Sequence, residues 1–203
     1  MDADSDTGAS ADADADTEAI TGPPDGMVDA RDELTPMLSQ YFDLCAEYED
    51  ALLLFQNGDF YQTYCDAAAE VARVCELTLT RREDSTGTYP MAGIPVDNAA
   101  KYVERLLDAD YRIAVAEQVE PPEEASGLVD RAVTQVITPG TLVEDELLGA
   151  GTKNYVAAVT RAAETRAVAA VDAATGECLL TSVDDDTSLR AELDRLAPAE
   201  LLV

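Results

Sequence analysis

The apolar run Leu52-Leu53-Leu54-Phe55 ends at Asn57-Gly58-Asp59-Phe60-Tyr61-Gln62, and this junction constrains the fold more than any other stretch. A short apolar run of this kind reads as a buried strand over Ala51 to Gln56. Gly58 permits a sharp turn. Asp59 is a good N-cap and Gln62 stands where a capping-box partner would, so the spacing predicts a helix from the turn to about Cys75. Phe60, Tyr64, Ala67 or Ala68, Val71 and Val74 would share one side of it, with Phe60 and Gln62 in its first turn. An aromatic ring at that exposed edge can act as a wedge, with the Gln62 amide as a hydrogen-bonding finger beside it. In the alternative, Phe60 is a partly buried staple and Gln62 only caps.

Further along, the pattern alternates between helical and extended periods. Thr35-Pro36 opens a helix as N-cap and N1, with Leu38, Phe42 and Cys45 at helical spacing. Leu77 to Thr80 reads as a strand ending at Arg81-Arg82, residues 83–90 as a polar loop, and Pro90 to Pro95 as a stiff loop bracketed by prolines. Asp97 is placed to cap a helix through Val103, Leu106 and Leu107. Tyr111 to Val119 and Arg131 to Ile137 are strands separated by Pro121-Pro122. This alternation predicts an α+β domain with a mixed sheet over residues 34–145. A short helical stretch to Leu148 and the break Gly149-Ala150-Gly151 precede three strands: Tyr155 to Thr160, Ala167 to Asp172 and Cys178 to Val183. Thr175-Gly176 turns between the last two. Leu189, Leu193 and Leu196 mark a helix, and Leu201-Leu202-Val203 opens another strand. Residues 146–203 thus read as the start of a second, incomplete α/β domain.

Charge sets a second boundary. The net charge is -29, with two lysines and no histidine or tryptophan. Residues 1–33 hold 11 acids and one arginine, and include Ala11-Asp12-Ala13-Asp14-Ala15-Asp16, so they read as a disordered, dispensable acidic tail. Residues 34–203 still carry 31 acids against 12 bases. Such a surface suits molar salt, where the Debye length is about 3 Å. It equally fits an ordinary acidic protein that repels nucleic acid. None of the four cysteines, Cys45, Cys65, Cys75 and Cys178, forms a C-x-x-C pair, and no histidine can complete a zinc site. No apolar run approaches the ~20 residues of a membrane span, and no signal pattern opens the chain. A reduced cytoplasm is the expected compartment.

Taken in order, several segments resemble the N-terminus of the MutS family of DNA mismatch-repair proteins. They are Thr35-Pro36-Met37, Leu53 to Tyr61, Leu79-Thr80-Arg81-Arg82, Pro90-Met91-Ala92-Gly93-Ile94-Pro95, Ala116-Glu117-Gln118, Val136 to Thr141 and Asp172 to Glu177. The resemblance implies a mismatch-recognition domain followed by the start of an RNase-H-like connector domain. It implies that Phe60 stacks on a mispaired base from the minor groove and that residue 62 hydrogen-bonds to that base. The family has Glu there, and this chain has Gln62. Val96-Asp97 likewise stands where the family has an aromatic residue and histidine. Arg81 and Arg82 are candidate phosphate contacts, or surface arginines balancing Glu83 and Asp84; Met91 and Gly93 shape the loop behind the wedge or touch DNA.

The implied partners are duplex DNA with mismatches or small loops, a second MutS-type subunit and a MutL-type repair factor. ATP and magnesium are implied for the full-length family. No G-x-x-x-x-G-K-[ST] loop occurs in this chain, so no cofactor or enzymatic activity is expected of it. Two other functions compete: a paralogue fragment kept as a protein-interaction module, and an RNase-H-like nuclease using Asp172. The second would need several carboxylates converging on two metal ions.

Overall fold

The computed structural model describes residues 21–24, 27, 33–120, 127–142, 153–162 and 165–203. Two compact units divide the chain, Met1–Ile137 and Thr138–Val203. Among the described residues, no helix is long and apolar enough to cross a membrane.

The first unit is built on a six-stranded mixed sheet. Its strands are β1 (Ala51–Asn57), β2 (Phe60–Tyr64), β3 (Thr80–Asp84), β4 (Gly87–Pro95), β5 (Arg112–Gln118) and β6 (Arg131–Ile137), in the order β3-β4-β2-β1-β5-β6. Only β1 and β5 run parallel. The crossover between them carries helices α2 (Cys65–Val74) and α3 (Ala99–Leu107). Helix α1 (Pro36–Glu47) begins as expected, with Pro36 in the first turn and the Thr35 hydroxyl accepting the Leu38 N–H at 3.4 Å.

Strand β1 is buried on both faces from Ala51 to Phe55, which accounts for its unbroken apolar run. On one face, Met37, Leu38, Tyr41, Phe42 and Cys45 of α1 pack with Leu53, Phe55, Tyr64 and Tyr89. Tyr41 is the hub of this layer, with edge-on contacts to Phe42, Phe55 and Tyr64 at centroid distances of 5.2, 5.6 and 4.9 Å. Leu52, Leu54, Ile94 and Ile113 belong to the alternate positions of the sheet and are buried, as are Ala67, Ala68 and Val71 of α2 and Val103, Leu106 and Leu107 of α3. Cys45, Cys65 and Cys75 are buried, and burial pushes the Cys45 thiol up to about 12, so it stays protonated and acts as a small apolar side chain.

Several local expectations are corrected. Phe60 and Gln62 lie on strand β2, not in a helix, because Gly58-Asp59 closes a two-residue hairpin that pairs Asn57 with Phe60. Gly58 takes φ 61°, the positive value a primed hairpin turn needs at its first central position. Asp59 therefore caps no helix, and α2 starts only at Cys65. Arg81 and Arg82 lie inside β3, which begins where the sequence pattern predicts its end. Residues 83–90 and Pro90 to Pro95 form a hairpin and strand β4. The prolines are tolerated because Pro90 precedes the ladder to β2 and Pro95 closes it. Asp97 sits inside a single 3-10 turn, Val96–Asn98, and α3 follows without a side-chain cap. Met27, within the stretch expected to be an unpacked tail, lies against the core, with its sulfur 3.9 Å from the Cys65 thiol. Pro121-Pro122, the helical stretch to Leu148 and Gly149-Ala150-Gly151 lie outside the described residues.

The second unit pairs β7 (Tyr155–Ala162), β8 (Thr165–Asp172) and β9 (Cys178–Val183) as an antiparallel meander. After α4 (Asp186–Leu196), β10 (Glu200–Leu202) joins β7 in parallel, giving the order β10-β7-β8-β9. Leu189, Leu193 and Leu196 of α4 cover Tyr155, Ala157, Val168 and Ala170. Thr138 to Thr141 belong to this unit. The Thr138 hydroxyl and the Gly140 N–H donate to Glu200 Oε2, and Asn154 Nδ2 donates to the Pro139 and Leu142 carbonyls. A Cβ on Gly140 would lie 2.5 Å from Glu200 Oε2 and 2.6 Å from Val156 Cγ2, so only glycine fits this close approach.

Candidate nucleic-acid interface

The hairpin β1–β2 projects the candidate site. Because side chains alternate along a strand, Phe60, Gln62 and Tyr64 share one face of β2. Their cross-strand partners on β4 are Pro95, Gly93 and Met91, and on β1 Asn57 lies opposite Phe60 and Phe55 opposite Gln62. Helix α1 covers the Tyr64 end of this face, where Tyr64 and Tyr89 are buried. At the other end Phe60 keeps 45% of its surface in solvent, next to a sheet whose other large aromatic side chains are buried. Its ring lies over Gly93, where an added Cβ would stand 3.6 Å from Cδ1, an ordinary contact distance. The Val96 N–H donates to the Asp59 carbonyl at 3.0 Å and ties the Val96–Asn98 turn to the hairpin tip.

Gln62 is half-buried and held by its oxygen. Oε1 accepts from Asn57 Nδ2 at 3.1 Å and from the Tyr64 hydroxyl at 2.7 Å. Burial pushes that hydroxyl up to about 12, countered in part by the Arg82 and Arg131 guanidinium charges, so it remains a donor at neutral pH. Arg131 stabilises the base of the hairpin. It is buried, donates to the Gln56 carbonyl at 2.5 Å and to Gln40 Oε1 at 3.1 Å, and lies 4.5 Å over the Phe55 ring. Its burial lowers its own pKa.

The six residues singled out by sequence thus fall into three groups. Phe60, Gln62 and Gly93 come together at the tip. Met91, opposite Tyr64, lies on the same face nearer the core, and Arg82, opposite Tyr89, lies on it about 20 Å along β4 from Pro95. Arg81, opposite Pro90, points to the other face. Arg82 is 3.8 Å from Asp84, a partly exposed pair. Sequence reasoning missed Asn57 and Tyr64. The signal was present in the period-two series Phe60, Gln62, Tyr64, which a hairpin reading of Gly58-Asp59 would have exposed.

Comparison with known proteins matches this layout. Residues 35–146 match the family model of MutS domain I, and residues 154–203 match that of MutS domain II. The chain belongs to the MutS family. It is 58% identical over 186 residues to DNA mismatch repair protein MutS 2 of Haloarcula marismortui, covering 92% of this chain and 20% of that relative. It is 59% identical over 182 residues to DNA mismatch repair protein MutS of Natronomonas pharaonis, covering 90% and 21%. A relative of the same name in Streptococcus suis is 41% identical over 175 residues, covering 86% and 20%. The chain spans about a fifth of the length of these curated relatives. The MutS domain I match includes the whole β1–β2 hairpin, and the domain II match includes β7 to β10.

Within the MutS domain II match, Asp172 is engaged in its own turn. Its carboxylate accepts from the Thr175 hydroxyl at 2.8 Å and from the Asn154 and Ala174 N–H groups, which hold its pKa below the usual carboxylate range. Among the described residues, no three or more His, Cys, Asp or Glu side chains are grouped to hold a metal ion.

Proposed function

We propose that the first unit senses mispaired bases in duplex DNA. Phe60 enters the mispaired step from the minor groove, and Gln62 hydrogen-bonds to the mispaired base. The observation that carries this reading is the exposure of Phe60 at a braced hairpin tip, beside an oriented amide. A folded sheet gains nothing from an aromatic ring left in water, whereas an apolar wedge at a base step unstacks and kinks the duplex. A mispaired step is already weakly stacked, so insertion there costs less than at a paired one. Discrimination then follows from deformability and needs no sequence readout.

We read the second unit as the opening of a connector domain of RNase-H-like type. The antiparallel meander followed by a helix and a parallel strand supports that reading. A second MutS-type subunit and a MutL-type factor are the partners proposed for the full-length protein. ATP and magnesium do not fit this chain, which carries no phosphate loop of the G-x-x-x-x-G-K-[ST] pattern.

Competition binding at fixed high salt, with a one-base mismatch and its matched control, tests the wedge. In the full-length protein carrying this chain, Phe60→Ala should abolish the preference for mismatched DNA, a difference on the order of 1–3 kcal/mol for one stacking contact. Melting of the variant should stay near that of the parent. Full mismatch preference in Phe60→Ala would exclude a wedge at this position.

A further inference from the structure

We propose that Asn57 and Tyr64 are positioning residues that make Gln62 present a hydrogen-bond donor, not an acceptor, to the base beside Phe60. The inference rests on the wedge reading above. An amide oxygen has two lone pairs, and both of those on Gln62 Oε1 are engaged, by Asn57 Nδ2 at 3.1 Å and by the Tyr64 hydroxyl at 2.7 Å. Nε2 donates to no group among the described residues, and Gln62 is half-buried. The nitrogen is therefore the end left for a ligand.

Two separate elements hold the amide in this sense. Asn57 closes β1 at the hairpin turn, whereas Tyr64 closes β2 inside the core. The Tyr64 ring is locked by edge contacts to Tyr41 at 4.9 Å and Tyr89 at 5.9 Å. A Gln62 amide rotated alone would set its NH2 against the Asn57 NH2, and rotating both amides would take from the Tyr64 hydroxyl its acceptor at 2.7 Å and leave it the Met37 sulfur at 3.6 Å. The resulting donor suits a base-tolerant sensor. In the minor groove A·T and T·A pairs alike present only acceptors, purine N3 and pyrimidine O2, so a donor accepts many mispairs and discriminates poorly among bases. It also carries no charge to repel phosphate and needs no proton uptake. A carboxylate held by the same two donors would turn an acceptor outward instead.

The test uses the full-length protein carrying this chain and a duplex with one mispaired adenine. That adenine is replaced by 3-deazaadenine or 7-deazaadenine, each of which exchanges one ring acceptor for C–H. The parent protein should bind one of the two analogues roughly 3- to 10-fold more weakly than adenine, the effect of one hydrogen bond. Asn57→Asp replaces a donor with a carboxylate, draws the Gln62 NH2 inward and turns its carbonyl outward. The analogue penalty should then vanish, and because it is a ratio within one variant, the added charge cancels. Tyr64→Phe keeps the ring and the fold but frees one lone pair, so the penalty should shrink. Indifference of the parent to both analogues, or an undiminished penalty in both variants, would overturn the inference. Phe60→Ala measured alongside separates the two claims: if it retains mismatch preference, the wedge reading itself has failed, whatever the analogues show.

Discussion

Phe60 and Leu180 are both large apolar side chains left in solvent on a strand, at 45% and 83% exposure, and their surroundings differ throughout. Phe60 stands at the hairpin tip of a sheet whose central strands β1 and β5 are buried on both faces, braced by Gly93 and flanked by a fixed amide. Leu180 lies on a face of the second sheet that no described helix covers. There Leu202, Ala158, Ala169 and Leu180 form one row across β10, β7, β8 and β9. Among the described residues of the first unit, the other exposed large apolar side chains, Leu79, Val119 and Leu128, lie outside the strands, so exposure on a strand of this core marks Phe60 for a task. Exposure across a whole sheet face reflects a layer with packing on one side only. The first unit should therefore behave as a self-sufficient core, and the second as a marginal one.

The largest expected effect bears on both units. Residues 34–137 carry 19 acids against 7 bases and residues 138–203 carry 12 against 5, a similar density of negative charge. Raising KCl from ~0.1 M to ~2 M shortens the screening length several-fold, so thermal melts should shift strongly upward for both units together. Equal melting temperatures at the two salt concentrations would remove the high-salt reading of the surface. A smaller and sharper effect comes from Leu53→Ala, which empties a fully buried position of β1. It should destabilise the first unit by ~2–5 kcal/mol while hydrogen exchange in β7, β8 and β9 stays unchanged. Loosening of both sheets together would show that the two units are one cooperative body. Gly140→Ala should do the converse at lower cost. Its Cβ meets Glu200 and Val156, so the second unit should lose ~1–3 kcal/mol and the first nothing.

What the sequence made legible follows the same contrast. Strand β1, the capped start of α1, the β7–β9 meander and α4 were readable because apolar period and local capping agree there with the tertiary outcome. The candidate site was legible as a set of residues but not as a geometry. Asp59 and Gln62 satisfy a helix-capping pattern, yet Gly58 at positive φ commits the chain to a hairpin, and the buried neighbours β1 and β4 then pair β2 as a strand. Tertiary pairing overrode local propensity. The prolines of β4 misled for the same reason, since their tolerance depends on where the β2 ladder begins and ends. Asn57 and Tyr64 as donors to Gln62 follow only from that register, so no helical reading could have reached them.

The central claim is that Phe60 is exposed for insertion and not through a deficit of packing. The most direct measurement is the fluorescence of 2-aminopurine placed beside a single mismatch, since unstacking the base relieves quenching. Binding of the full-length protein should raise the signal at the mismatched step and leave a matched duplex dark, and Phe60→Ala should bind without the rise. An equal rise with Phe60→Ala would contradict the account, because the base would then be unstacked without the ring that the hairpin holds in place.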